Sequence, residues 1–285
     1  IFYHIITFQT SRSFISFQTF TKRPGTTDRG KEYEDTVLSS LLLKLINDPT
    51  VKNFHVSLNE EKFGAFDDIV IKTESNTEHE IRVKAVQLKH TNTKTLTVQN
   101  LRSKTGPFSI SKYFESFREI EADVHEFILF TNRPLVCKEN EKFILQKEKF
   151  HIELIEAEDS LELSERSKVY QFRIAENPSS LLDFPIIEEY KTFLSKFYLY
   201  TDQHNLETMK NTTAYNFSKT YNSNEEIFDK FFRSISEWSI QDGKKEKLNK
   251  NWVQLVLALH LLSSQTEPLS FGSVSDKMKI FRDSI

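Results

Sequence analysis

Apolar and polar residues alternate in two neighbouring segments of the chain, residues 68–73 and residues 80–88. A period of two is typical of β-strands, because successive side chains point to opposite faces of a sheet. The residues between the two segments are polar and of the turn-forming type. We therefore predict an antiparallel hairpin, whose turn brings Asp67 and Asp68 opposite residues 85–88.

The rest of the chain after the first thirty or so residues shows further periodic segments. Helical spacing of apolar residues predicts helices at residues 32–47, 109–122 (capped by Ser109 or Ser111), 186–197, 205–217, 225–240 and 249–264. Short apolar runs predict more strands at residues 53–58, 125–131, 150–155 and 169–174. Residues 90–107 lack a period and predict a loop beside the end of the hairpin.

The order of these elements indicates an α/β fold, with a mixed sheet flanked by helices and a helical region after it. We predict a sheet domain at residues 29–176 and a helical C-terminal region at residues 177–285, separated by the Asn-Pro-Ser-Ser sequence at 177–180. Residues 1–28 predict a disordered leader or an incorrectly assigned start. A mitochondrial transit segment is the alternative, because residues 1–27 contain no acidic residue.

Composition narrows the class of protein. Charged residues make up 28% of the chain, the mean hydropathy is -0.48, and no apolar run approaches the length that spans a bilayer. We therefore expect a soluble protein with no membrane partner. Cys137 is the single cysteine, which excludes an internal disulfide. An intracellular location, nuclear or cytoplasmic, is expected, and a mitochondrial one is less favoured.

Positive charge is concentrated in the second predicted strand of the hairpin and in the residues that follow it. Residues 82–118 contain eight basic residues and one acidic residue, a net charge of +7 in a chain whose total is -3. Such a segment is suited to a phosphate backbone, because Lys and Arg contacts drive the binding of nucleic acids. A solvated basic face is the alternative. The candidate nucleic-acid-binding residues are Lys94, Arg102, Lys104 and Lys112.

The far end of the hairpin gathers candidate catalytic groups. Gln87 and Lys89 are two residues apart and so share one face of their strand, beside Asp68 on the partner strand. This spacing resembles the PD-(D/E)xK nuclease superfamily, in the variant where Gln replaces the second acidic residue. Residues 30–34 are similar to the leading helix of Mrr-like nucleases, which carries an extra catalytic Glu, here Glu34.

The resemblance covers about a third of the chain, roughly residues 30–135, since residues 112–116 and 127–132 are similar to the next helix and strand of the same core. The segment is similar to the nuclease modules of bacterial antiphage effectors and of some arthropod immune-receptor-like proteins. This resemblance implies a restriction-endonuclease-like sheet and a catalytic site made of Asp68, Gln87, Lys89 and Glu34.

The resemblance also implies a metal-dependent reaction. Asp68, Glu34 and Gln87 are the expected ligands of Mg²⁺, with Mn²⁺ as the alternative, because such cations prefer oxygen donors. Asp68 is favoured over Asp67 as the principal ligand. Lys89 is expected to contact the scissile phosphate or the attacking water. Asp68 and Lys89 are both expected at the end of the sheet rather than in the core.

These features together predict a metal-dependent endonuclease that hydrolyses phosphodiester bonds in DNA, with double-stranded DNA as its partner. A homo-oligomer or an attached sensor domain is a further expected partner. Three alternatives remain open: a catalytically inactive nuclease-fold module that binds nucleic acid or a protein, a nuclease that acts on RNA, and a structural domain with an accidental motif.

Overall fold

The computed structural model describes residues 28–77, 80–91, 95–138, 140–175, 184–240 and 248–263. The predicted leader, except Asp28, and the 177–180 boundary lie outside these ranges. The helices are α1 (Asp28–Asn47), α2 (Val98–Arg102), α3 (Ile110–Arg118), α4 (Phe184–Lys196), α5 (Leu206–Tyr221), α6 (Glu225–Ser239) and α7 (Lys250–Ser263), with a 3-10 helix at Glu61–Phe66. The strands are β1 (Val51–Leu58), β2 (Ile69–Ser75), β3 (Ile81–Lys89), β4 (Leu96–Thr97), β5 (Glu126–Thr131), β6 (Leu135–Val136), β7 (Lys142–Ile144), β8 (His151–Ala157), β9 (Lys168–Ile174), β10 (Phe197–Thr201) and β11 (Leu248–Asn249).

One large mixed sheet organises the described residues. Its nine strands run in the order β11-β1-β2-β3-β5-β10-β9-β8-β7, and a separate parallel pair joins β4 to β6. Within the large sheet, β5 lies parallel to both β3 and β10, whereas the other neighbours are antiparallel. The predicted α/β class with a mixed sheet, flanking helices and a helical C-terminal part is confirmed.

The β2–β3 hairpin has the register that the alternation predicts. Ile69 lies opposite Val86, and the pairing continues without a shift to Glu74 opposite Ile81. Extended by one position, this register places Asp68 opposite Gln87. The hairpin is therefore confirmed, although residues 78 and 79 of its turn lie outside the described ranges.

Both faces of the central strands are buried. On β2, the side chains of Ile69 and Ile71 enter one apolar core together with α1, α5, α6 and α7, whereas Val70 enters a second core with α3 and α4. Strands covered on both faces are typical of α/β sheets. Because side chains two apart share a face, Asp68, Gln87 and Lys89 belong to the face that α3 covers.

The C-terminal part contributes strands as well as helices. β10 lies between β5 and β9 in the middle of the sheet, and β11 pairs with β1 at its edge. Residues on both sides of the predicted boundary thus share one sheet. The sequence did not reveal β10 because a run of four apolar residues directly after a helix is equally compatible with another helical turn.

The predicted loop at residues 90–107 is corrected in part. It contains β4 and the short helix α2, whose capping box joins Thr97 to Asn100. α3 is also shorter than predicted, since it ends at Arg118 rather than near residue 122. Ser109, one of the two proposed caps, accepts a hydrogen bond from the backbone N–H of Lys112 at 3.2 Å.

The 3-10 helix that leads into Asp67 depends on Gly64. Its φ of +55° and ψ of -121° suit glycine, and an added Cβ would collide with the Ser116 hydroxyl of α3. That hydroxyl accepts a hydrogen bond from the backbone N–H of Ala65 at 2.7 Å, so moving the hydroxyl away would break this hydrogen bond.

We expect Gly64→Ala to lower the free energy of unfolding by about 1–3 kcal/mol, through backbone strain and the collision with Ser116. Urea denaturation followed by circular dichroism measures the change. The double variant Gly64→Ala/Ser116→Ala, compared with Ser116→Ala alone, isolates the backbone strain. Full stability of Gly64→Ala would show that this approach of the 3-10 helix to α3 is not required.

Candidate active site

Asp68 and Gln87 form a buried polar pair at the end of the β2–β3 hairpin. Each residue is 7% exposed, and the Gln87 side-chain amide donates a hydrogen bond to Asp68 Oδ2. The backbone N–H of Leu88 donates to the same oxygen at 2.8 Å. Two donors therefore fix the carboxylate, and the expectation that Asp68 lies outside the core is wrong.

Lys89 is the last residue of β3 and is half-buried. Burial lowers the pKa of its ammonium group, because a desolvated charge is disfavoured, and the Asp68 carboxylate opposes this effect. Lys112 lowers the same pKa further, whereas Asp67 and Glu34 raise it. The fold thus brings these five ionisable groups, three acidic and two basic, close enough to influence one another.

Glu34 approaches this group from the other side of the sheet. It lies on α1, which covers the face opposite to α3, and its influence on the Lys89 pKa is the weakest of the three carboxylates. Its Oε2 is 3.8 Å from the Lys31 ammonium, which is 2.9 Å from the neighbouring Asp35 carboxylate. Asp68 and Glu34 thus both influence Lys89, and the effect of Glu34 is the smaller of the two.

The predicted nucleic-acid-binding residues fall into three groups. Lys112 is exposed at the start of α3 and influences Lys89, and Lys104 is exposed in the segment before α3. Arg102 is half-buried, and its Nε is buried with no hydrogen-bond partner among the described residues. Lys94 lies outside the described residues. The structure thus leaves Lys104 and Lys112 exposed, and of these two Lys112 is close enough to Lys89 to influence its pKa.

The basic segment 82–118 does not form one surface. Lys84 lies five residues before Lys89, about 17 Å along the strand, and pairs with Glu126 at 3.0 Å. Arg82 lies farther still and pairs with Glu80, while Arg118 pairs with Glu189 at the other end of α3. The net charge of the segment therefore overstates the positive charge at the site.

Two aromatic residues beside the site were not predicted. The Tyr113 side chain is fully buried, and both burial and the Asp68 carboxylate raise its pKa. On the opposite face, the Tyr33 ring stacks on His90 with centroids 4.2 Å apart. Burial and the Arg29 charge lower the pKa of His90. His90 thus faces away from Gln87 and Lys89 and packs against Tyr33.

The ends of the neighbouring parallel strands supply further polar groups. Asn132 follows β5, and its side chain both donates to and accepts from the backbone of Thr91. Gln203 and His204 follow β10 and lie close to the same strand ends. Polar residues directly after an apolar strand are the sequence signal that could have indicated them.

The side chains proposed as metal ligands would all bind a cation through oxygen atoms. No group of three His, Cys, Asp or Glu side chains within the described ranges is arranged to hold a metal ion. Mg²⁺ needs only one or two carboxylates besides water, and an amide oxygen is an acceptable further ligand. The carboxylates of Asp68 and Glu34 with the Gln87 amide oxygen are therefore chemically suited to Mg²⁺ or Mn²⁺.

A scan against protein-family models and a search of curated proteins found no match to the chain. In the part of the chain that the structure describes, no helix has the length and apolar character needed to cross a membrane.

Proposed function

We propose that the protein is a metal-dependent endonuclease of the PD-(D/E)xK type, with a restriction-endonuclease-like core around β2, β3 and β5. The observation that carries the proposal is the buried pair of Asp68 and Gln87, in register across the hairpin, with Lys89 on the same face two residues on. A carboxylate fixed by two donors beside a partly desolvated ammonium is suited to phosphodiester hydrolysis. DNA is the proposed substrate.

Asp68, Glu34 and the Gln87 amide oxygen would hold Mg²⁺, or Mn²⁺ in its place. When bound, the cation supplies Lewis-acid catalysis and lowers the pKa of its water. The hydrogen bonds from Gln87 and Leu88 keep the Asp68 carboxylate in one orientation, so little reorganisation is needed when substrate binds.

Lys89 is the proposed contact to the scissile phosphate. Its burial makes its charge more effective, because water screens it less than at an exposed position. The Asp68 carboxylate opposes the burial effect on its pKa and so favours the protonated form that a phosphate contact requires. Lys112, which is exposed and influences Lys89, and Lys104, which is exposed before α3, would bind the flanking phosphates.

The second candidate function is a binding module that has kept the fold and lost catalysis. It is favoured by Gln87, a neutral residue where a second carboxylate would bind a cation more tightly. Such a module would bind DNA in EDTA and show no cation-dependent change.

Thermal unfolding with Mg²⁺, Mn²⁺ or EDTA tests the proposed cation site. We expect each cation to raise the Tm of the wild type. At a hundredfold excess of cation over its Kd, the free energy of unfolding should increase by about 2.7 kcal/mol. In Asp68→Asn this cation-induced rise should disappear, whatever its effect on basal stability. Asp229→Asn, at an exposed position of α6, is the matched control and should keep the full rise. Equal rises in all three proteins would remove Asp68 from the cation site.

A further inference from the structure

A cavity opens where the three parallel strands β3, β5 and β10 end. Its volume is about 670 Å³, and its lining includes Arg29, Thr91, Asn132, Arg166, Gln203 and His204. In α/β sheets, ligands bind outside the carboxyl ends of such strands. The volume falls within the range of sites that take small organic ligands.

The cavity adjoins the candidate active site. Thr91 lies two residues after Lys89, and Tyr33, next to Glu34 on α1, forms the connection between the two sites. The Tyr33 ring stacks on His90, and its hydroxyl donates to the backbone carbonyl of His204 at 3.2 Å. A strand bound at Lys89 would therefore reach the cavity within about one nucleotide, since Thr91 is only ~7 Å farther along the chain.

Gln203, one of the residues that line the cavity, has an unused hydrogen-bond acceptor. Gln203 is 4% exposed, and its Nε2 donates to Ser167 Oγ at 2.6 Å and to the Thr201 carbonyl at 3.1 Å. Its Oε1 is buried and meets no donor within the described residues. A buried acceptor without a donor costs free energy. An occupant that presents an N–H or O–H group to this oxygen would recover that cost.

Other walls carry charged groups of both signs, since the carboxylates of Asp202 and Glu207 line the cavity beside two arginines. Arg29 and Arg166 are both exposed at the cavity, and the Arg166 guanidinium is 3.9 Å from the Asp202 carboxylate, too far for a tight pair. Asn205 and Thr208 also line the cavity, so the 16-residue helix α5 begins there. The Asn205 side chain already accepts a hydrogen bond from the Thr208 N–H at 2.9 Å, and the N–H groups at the start of a helix that remain without such a cap attract anions.

We propose that this cavity holds one unpaired nucleotide of the substrate strand, next to the phosphate that is cut. The assignment rests on the proposed action on nucleic acid and adds its substrate class. A nucleotide combines a phosphate for the two arginines with base N–H groups for Gln203. In a paired duplex those N–H groups are engaged by the partner strand, so the cavity selects strands with an unpaired or extrahelical nucleotide.

Binding in EDTA tests the proposal without relying on cleavage. Fluorescence anisotropy compares a duplex carrying one bulged nucleotide with the same duplex fully paired. We expect the wild type to bind the bulged duplex about tenfold more tightly, since extrusion of a paired base is costly. Arg166→Gln, at a side chain 72% exposed, should lose most of this preference while remaining folded. Arg82→Gln, at a 54% exposed side chain at the start of β3, is the matched control and should keep it.

Equal affinity for the two duplexes, an unchanged preference in Arg166→Gln, or no binding to either would overturn the proposal. A deoxynucleoside monophosphate serves as competitor of the bulged duplex. If it displaces the duplex at concentrations as low as those at which the duplex itself binds, the cavity is a site for free nucleotides instead. Cleavage with Mg²⁺ is scored separately. Loss of the preference with cleavage intact rejects the cavity alone, and absence of cleavage with the preference intact rejects the nuclease alone.

Discussion

Lys89→Ala is expected to slow DNA cleavage by about 10²–10³-fold, the usual cost of removing one group that stabilises transition-state charge. The Lys89 ammonium is half-buried on the same face as Asp68, and its pKa responds to both Asp67 and Asp68. No other basic residue among those described is placed on β3 next to the Asp68–Gln87 pair. The initial rate of plasmid nicking with saturating Mg²⁺ measures the effect.

Lys84→Ala is the matched control for this variant. Lys84 lies on the same strand but on the opposite face, its side chain is 15% exposed, and it pairs with Glu126 at the opposite end of β3. Its removal should leave the cleavage rate within about twofold, because the charge lies roughly 17 Å from the site. A rate for Lys89→Ala equal to that of Lys84→Ala would show that Lys89 has no part in the reaction.

Gln87→Glu is expected to have opposite effects with and without a cation. The wild-type amide donates to Asp68, whereas an ionised glutamate is an acceptor only and places a second negative charge beside the first. In EDTA we expect a loss of about 1–3 kcal/mol in unfolding free energy, the cost of breaking a buried hydrogen bond. With Mg²⁺ the added carboxylate becomes a ligand, so most of this stability should return.

Denaturant unfolding in EDTA and in Mg²⁺ measures both halves of this prediction. Gln171→Glu on β9 is the matched control, because that glutamine donates to the Ser195 carbonyl at an exposed position. The control should show little dependence on Mg²⁺. If Mg²⁺ fails to restore stability to Gln87→Glu, the pair is a structural hydrogen bond and the binding-module alternative gains support.

The hairpin and its site were predictable because they depend on local alternation. A period of two fixes which side chains share a face, and the turn fixes the register, so the approach of Asp68 to Gln87 and Lys89 follows from the sequence alone. These contacts join residues in one continuous stretch of about twenty residues.

The remaining parts of the site depend on contacts that no local pattern encodes. β10 enters the sheet between β5 and β9, and with it Gln203 and His204 reach the strand ends beside Thr91. The burial of Asp68 follows from packing of α3 against the hairpin. The separation of Arg82 and Lys84 from Lys89 is a consequence of strand length that a count of charges ignores.

The proposed nuclease is tested most directly by the cleavage of supercoiled plasmid DNA by the wild-type protein, with Mg²⁺, with Mn²⁺ and with EDTA. We expect nicking or linearisation with either cation and none in EDTA, because the reaction requires a cation held by Asp68, Glu34 and Gln87. Intact plasmid in all three conditions, or cleavage that persists in EDTA, would contradict a metal-dependent nuclease.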